Sequence, residues 1–202
     1  MTTKILVWDR IVRTGHWLLA ASFIVAYVSA ESERWRLIHV VSGGLVFAVV
    51  VLRIAWGLFG SQHARFVNFL HSPARAITYL KSLASKNPEH HTGHNPAGGW
   101  AVIGLLSLSL LASITGWMAY NNLGGARLGQ WHELAAKLCL SLVFVHVIAV
   151  IASSYLHQEN LISAMLTGKR LSNVTGRIND ISGWGLLLYA LLVAALTLAV
   201  LA

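Results

Sequence analysis

The sequence predicts an all-α integral membrane protein, a four-helix bundle with a fifth C-terminal transmembrane helix, on three observations. Apolar residues make up 56% of the 202 residues and charged residues only 11%, against roughly a quarter charged in ordinary soluble domains. A surface that faces water on all sides is therefore out of reach. The apolar residues gather into five runs, at about 11–30, 37–59, 96–120, 130–155 and 182–202, each near the ~20 residues that a helix needs to cross hydrocarbon. The length then leaves room for one membrane domain over residues 1–202 and little else.

The first run follows a basic start of Lys4, Arg10 and Arg13 and ends in Val28-Ser29-Ala30, a pattern also seen at signal-peptidase sites. We expect a retained span, with His16 about one turn inside its cytoplasmic end. The second run carries His39, then Gly43, Val46, Val50, Arg53 and Gly57 at steps of three or four, which places them on one helix face. In the loop that follows, Ser72-Pro73 reads as an N-cap with proline at the first helical position. Ile77, Leu80 and Ala84 recur at helical spacing behind it. An amphipathic helix over about 73–86 is expected there, lying on the membrane surface. The third run opens after "GHNPAGG", the fourth holds His132 and His146, and the fifth is almost wholly apolar.

Charge sets the expected direction. Lys4, Arg10 and Arg13, then Arg53, Arg65, Arg75, Lys81 and Lys86, then Lys169, Arg170 and Arg177 account for eleven of the fifteen basic residues. By the positive-inside rule these segments face the cytoplasm and the C-terminus faces out. The net charge of +8 is spread through short polar segments without interleaved aromatics, which excludes nucleic acid as the expected partner and favours anionic membrane lipid. A single cysteine, Cys139, excludes a disulfide framework, a paired-cysteine zinc site and covalent haem attachment.

Four of ten histidines fall in or at the mouth of a span: His16, His39, His132 and His146. Ionisable groups there are costly and usually functional. His132 and His146 are fourteen residues apart, about 21 Å along a helix and nearly four full turns, hence on one face. The topology then pairs His16 with His146 near the inner surface and His39 with His132 near the outer one. Imidazoles on opposing helices at one depth are the geometry of bis-histidine haem ligation in a helix bundle. The four are the candidate metal ligands of two b-type haems. Gly43 and Gly57 would let a flat macrocycle approach the second helix, and Ala135, Cys139 and Val143 leave room on the fourth. Arg53 and Arg13 are candidates to hold haem propionates bidentately, although both also fit as basic anchors and the glycines as packing contacts. Glu133 and Lys137 read as an i,i+4 pair. His90, His91 and His94 look metal-like but lack carboxylate or thiolate partners. His63, His71 and His157 lie in interfacial segments.

"VWDRIVRTGHW", "HVVSGG", "LRIAWGLFG", "GHNPAGG", and "HELAAKLCLSLVFVH" followed by "ENLISAMLTGKR" occur in this order over nearly the whole chain. In that the chain resembles the bacterial di-haem cytochrome b-561 family, which includes the b-type cytochrome subunit of membrane-bound nickel-iron hydrogenases. The resemblance implies that His16, His39, His132 and His146 are axial ligands. It also implies electron transfer across the bacterial inner membrane between a quinone pool and a periplasmic redox partner, a c-type cytochrome or a hydrogenase-like protein. With both axial positions filled by histidine, electron transfer is favoured over oxygen chemistry, so the chain would be an oxidoreductase only in the broad sense. The outer haem is expected to exchange electrons with the periplasmic partner and the inner haem, or a nearby interfacial pocket, with quinol or quinone, with His94, His157 and Trp100 as candidate quinone contacts. A superoxide:quinone oxidoreductase, a non-redox membrane anchor subunit and a transporter are the rival readings. Few basic residues lie on the outer face to draw in superoxide, and transporters bind near the midplane on broken helices.

Overall fold

A computed structural model describes residues 3–83, 93–172 and 180–201. Eight helices and two strands follow one another: β1 (Thr3–Leu6), α1 (Arg10–Ser29), a 3-10 turn (Glu33–Trp35), α2 (Arg36–Phe59), α3 (Phe66–Phe69), α4 (Pro73–Ser82), α5 (Pro96–Tyr120), α6 (Ala126–Leu156), α7 (Leu161–Thr167), β2 (Lys169–Ser172) and α8 (Gly183–Leu201). The helices Arg10–Ser29, Glu33–Phe59 (the 3-10 turn with α2), Pro96–Tyr120, Ala126–Leu156 and Gly183–Leu201 are long and apolar enough to cross a membrane. All five expected spans are thus helices, their ends shifted by a few residues; α6 starts four residues earlier than its apolar run and is continuous through both of its histidines. The chain gathers into two compact units.

The sheet unit comprises residues 1–13, 55–104 and 142–181. Its two strands, unforeseen in an all-α reading, pair antiparallel from Thr3 with Ser172 to Leu6 with Lys169. Gly168 makes the junction possible: it caps α7 with a left-handed φ of 79°, a conformation glycine adopts at no steric cost. A Cβ there would stand 2.5 Å from the Trp8 carbonyl oxygen. Its own carbonyl accepts from the amides of Val7 (2.7 Å) and Trp8 (3.1 Å), fastening the N-terminal strand. Val7, Trp8, Val12 and Ala64 form the core beneath, with Ile5, Trp56 and Met165 packed on it.

Asp9 ties this core together. Its carboxylate, fully buried, caps α1 by accepting from the Val12 amide at 2.9 Å. It also accepts from the Trp56 indole Nε1 at 3.0 Å and from the Ser61 hydroxyl. Nearby, Asp180 receives the Arg10 Nε (3.0 Å) and faces Arg13 Nη2 (3.6 Å). A second, largely buried pair joins Arg170 Nη2 to Glu159 at 2.5 Å. Ser72 caps α4 as expected, accepting from the Arg75 amide, and residues 84–86 of the expected interfacial helix lie outside the described residues. Ala76 and Tyr79 of α4 are buried, while Ile77 and Leu80 are exposed.

The helix unit comprises residues 14–54, 105–141 and 182–202. Val46, Ala48, Val49 and Val50 of α2 are buried within it. The fifth helix, α8, leans on three others in this unit: Tyr189 Oη lies over Gly15 of α1, Thr197 over Gly44 of α2, and the Val200 carbonyl accepts from Trp117 Nε1 of α5 at 2.9 Å. Small residues at the crossings let the helices approach closely, the usual means of packing in lipid.

Replacing Asp9 with alanine strands an indole N–H, a hydroxyl and a helix-start amide in an apolar core. We expect a loss of about 2–4 kcal/mol of stability, read as a lowered thermal unfolding midpoint in detergent. Asp9→Asn, which keeps the cap, should lose clearly less.

Candidate functional site

His39 and His132 come together inside the helix unit. Their ring centres are 5.9 Å apart with planes at 85°, and both side chains are half-buried. His39 sits one turn into α2, and its Nδ1 lies 2.8 Å from the carbonyl oxygen of Ala26 on α1. His132 sits two turns into α6, and its Nδ1 lies 2.8 Å from the carbonyl oxygen of Ala112 on α5. A carbonyl oxygen only accepts, so in each ring Nδ1 carries a proton, and in the neutral imidazole Nε2 is then the nitrogen with the lone pair. That is the state in which an imidazole ligates a metal, its orientation fixed by the other nitrogen.

The spacing can be tested against a shared iron. With about 2 Å from metal to nitrogen on each side and about 1 Å from nitrogen to ring centre, two axial imidazoles stand roughly 6 Å apart, centre to centre. The observed 5.9 Å agrees. The backbone of α2 is open one turn beyond His39, where a Cβ built on Gly43 would meet nothing within 4 Å. Gly116 serves the opposite purpose. A Cβ there would lie 2.8 Å from both Nδ1 and Cε1 of His132, so its missing side chain is what lets that ring reach the α5 backbone. On the α6 face between the histidines, Ala135 and Cys139 are buried, and Cys139 Sγ lies 3.4 Å from Ser109 Oγ on α5.

The other expected site residues distribute as follows. His16, in the helix unit, is half-buried and meets Trp17 edge-on; His146 is half-buried on α6 in the sheet unit. Their pairing rests on the sequence. Arg53 lies on α2 fourteen residues beyond His39. The Tyr189 hydroxyl of α8 lies over Gly15, the residue before His16. Arg13 is engaged in the sheet unit, donating from Nη1 to the Leu166 carbonyl at 2.9 Å and facing Asp180. Gly57 has no open space: the Phe66 ring occupies the position of its missing side chain, so this glycine admits a helix–loop contact. Glu133 and Lys137 form their expected pair, both largely exposed.

The remaining histidines fall in the sheet unit, and His90 and His91 lie outside the described residues. His94 packs against Trp8 and Phe69, ring centres 4.6 and 4.4 Å away. His157 Nε2 lies 3.3 Å from the buried Tyr79 hydroxyl, and Trp100 Nε1 donates to the His71 carbonyl at 3.1 Å. Burial pushes the His63 imidazole below its ordinary value. Among the described residues, no three His, Cys, Asp or Glu side chains gather as metal ligands.

Comparison with known proteins identifies the family. The sequence profile of the family described as Prokaryotic cytochrome b561 matches residues 7–168. A protein of Escherichia coli (strain K12) named probable Ni/Fe-hydrogenase 1 B-type cytochrome subunit is 27% identical, over 86% of this chain and 93% of its own. Proteins named probable Ni/Fe-hydrogenase B-type cytochrome subunit from Rhizobium leguminosarum bv. viciae (24% identical, 75% of this chain and 72% of theirs) and Cupriavidus necator (27%, 75% and 70%) are similar as well. No solved structure matches the chain.

Gly116→Ala should force the His132 ring off the Ala112 carbonyl. The expected result is a purified protein that folds but holds less haem than the wild type, measured by pyridine haemochrome; an unchanged haem content would mean that the ring can give way.

Proposed function

The chain belongs to the prokaryotic cytochrome b561 family, and from that premise we propose that it passes electrons between a quinone and a partner redox protein through two b-type haems. Membership itself makes it a multi-pass bacterial membrane protein that transfers electrons on haem b. The observation that carries the finer reading is the His39–His132 pair: two imidazoles at the spacing of a shared metal, each held by its Nδ1 so that Nε2 is the ligating atom. A haem held there by His39 and His132 would supply reversible one-electron storage.

In this reading His39 and His132 hold the outer haem, and the surrounding helices exclude water and fix the ring orientations, which is the protein's share of electron-transfer chemistry. Gly43 gives the macrocycle access to α2. The second haem is assigned to His16 and His146 on the order of the helices and the fourteen-residue spacing along α6. Arg53 is the candidate counter-charge for the propionates of this second haem, on its place fourteen residues beyond His39 along α2. Arg13 is less suited, since Asp180 and the Leu166 carbonyl already take two of its nitrogens.

For the partners, the similarity to proteins named as hydrogenase b-type subunits favours a hydrogenase-like electron donor, with a c-type cytochrome as the other candidate. For the quinone we propose the sheet unit. Tyr79 and His157 form a phenol–imidazole pair there, the kind of group that can exchange protons as a quinone gains or loses electrons. The positive-inside rule puts this unit, which holds Arg10, Arg13, Arg65, Arg75, Lys81 and Arg170, on the cytoplasmic side.

Two variants test the outer site. His39→Ala and His132→Ala should each lose the same spectral component, about half of the haem per chain, and unchanged haem in both would refute the assignment. Gly43→Leu should leave the haem-free chain folded, because no neighbour stands within 4 Å, yet lower its haem content by blocking the macrocycle.

A further inference from the structure

We infer that Ser29 and Thr115 are positioning residues that set the reduction potential of the haem on His39 and His132, through the backbone carbonyls to which those rings are bonded. The inference rests on the outer-haem reading above and deepens it. Both hydroxyls lie in apolar helices and both residues are buried, with 6% relative exposure. Each hydroxyl forks. Ser29 Oγ donates to the Val25 carbonyl at 2.6 Å and reaches the Ala26 carbonyl at 3.2 Å. Thr115 Oγ1 donates to the Leu111 carbonyl at 2.6 Å and reaches the Ala112 carbonyl at 3.2 Å. The second prong in each case lands on the oxygen that accepts a histidine Nδ1–H: Ala26 for His39, Ala112 for His132.

A serine or threonine within a helix commonly bonds back to the carbonyl four residues earlier. Thr78, Ser113, Ser141, Ser154, Thr167 and Thr197 do so here. Ser29 and Thr115 go further by reaching the i−3 oxygen as well, and they do it on two different helices, at the two carbonyls that hold the pair. At the end of α1 the Ala30 amide also donates to the Tyr27 carbonyl, at 3.4 Å.

The physical consequence has a definite sign. A carbonyl oxygen has two lone pairs, and each further donor drawing on it, beyond the helical amide and the histidine, leaves less electron density for the Nδ1–H bond. The stronger the bond from Nδ1–H to its acceptor, the more basic the ligating nitrogen becomes, and a more basic ligand favours the higher-charged, oxidised iron. The two hydroxyls therefore weaken the Nδ1–H bonds, lower the ligand basicity and hold the potential of the outer haem up. Removing either must lower it.

The test is an optical redox titration of the purified, haem-loaded protein, with the outer component identified as the one absent from His39→Ala. In Ser29→Ala and in Thr115→Val that component is expected at full haem content with its midpoint displaced to more negative potential, further still in the double variant. Ser29→Thr and Thr115→Ser, which keep a hydroxyl, should restore the wild-type value; a merely structural role would leave the midpoint where it was. If a hydroxyl-free variant fails to fold, Ser29→Cys, a weak donor of similar size, carries the test, with a smaller shift of the same sign expected. Full haem content with an unmoved or more positive midpoint overturns the inference. Loss of no component in His39→Ala would instead overturn the outer-haem reading beneath it.

Discussion

A polar atom placed in hydrocarbon must find its partner within the protein, because no water is there to take its place. Much of this chain can be understood from that constraint. Its membrane helices close their own backbone bonds, and the imidazoles they carry have to be satisfied by something else. For His39 and His132 the partner is a neighbouring helix's carbonyl, and the demand for one fixes the helix contacts. His39 joins α2 to α1, His132 joins α6 to α5, and the two rings together join α2 to α6. The arrangement that satisfies each Nδ1 is thus also the one that brings four helices into register around a single site.

The same constraint shapes the sheet unit, where buried charges are accompanied by hydrogen-bond partners. Asp9 has an amide, an indole and a hydroxyl. Arg170 has Glu159 and the Gly93 carbonyl. Removing one partner from such a pair costs far more than the pair itself contributes, so these groups act as fasteners that hold the ends of α1, α2, α5 and α6 to the loop elements within this unit. The β1–β2 ladder does the same for the N-terminus, with Gly168 at its corner.

How much of this is legible in the sequence follows from the range over which each feature is encoded. The spans are written locally, in runs of twenty apolar residues, and the separation of His132 from His146 along one face follows from helix pitch because α6 is continuous. The Ser72-Pro73 start of α4 is local as well. The strands are not: four residues each, with partners more than 160 positions away, they carry no period long enough to register. Nor can a sequence show how a helix is rotated about its axis. Gly43 and Gly57 look alike on the page, but one faces open space and the other the ring of Phe66, supplied by a segment beyond the end of the helix. Gly116, Ser29 and Thr115 read as unremarkable small residues on apolar helices until the ring of His132 and the carbonyls of Ala26 and Ala112 are seen beside them.

The choice of acceptor has an energetic logic of its own. A carboxylate behind each histidine would raise ligand basicity more strongly, but it would place an ionised group inside a span, at a cost of several kcal/mol. A backbone carbonyl holds the tautomer with no net charge, and it is available because a helical C=O has a second lone pair left after its own amide is served. What a carbonyl lacks is variety, since every peptide offers the same acceptor. A neighbouring hydroxyl restores that variety at almost no cost. It fits inside an apolar helix, it is satisfied by back-bonding, and its presence or absence changes one residue without changing the charge in the membrane. In the proposed haem site, where ligands, iron and porphyrin would be dictated by the chemistry of haem, the groups bonded to the histidines are where an individual chain keeps freedom to adjust its potential.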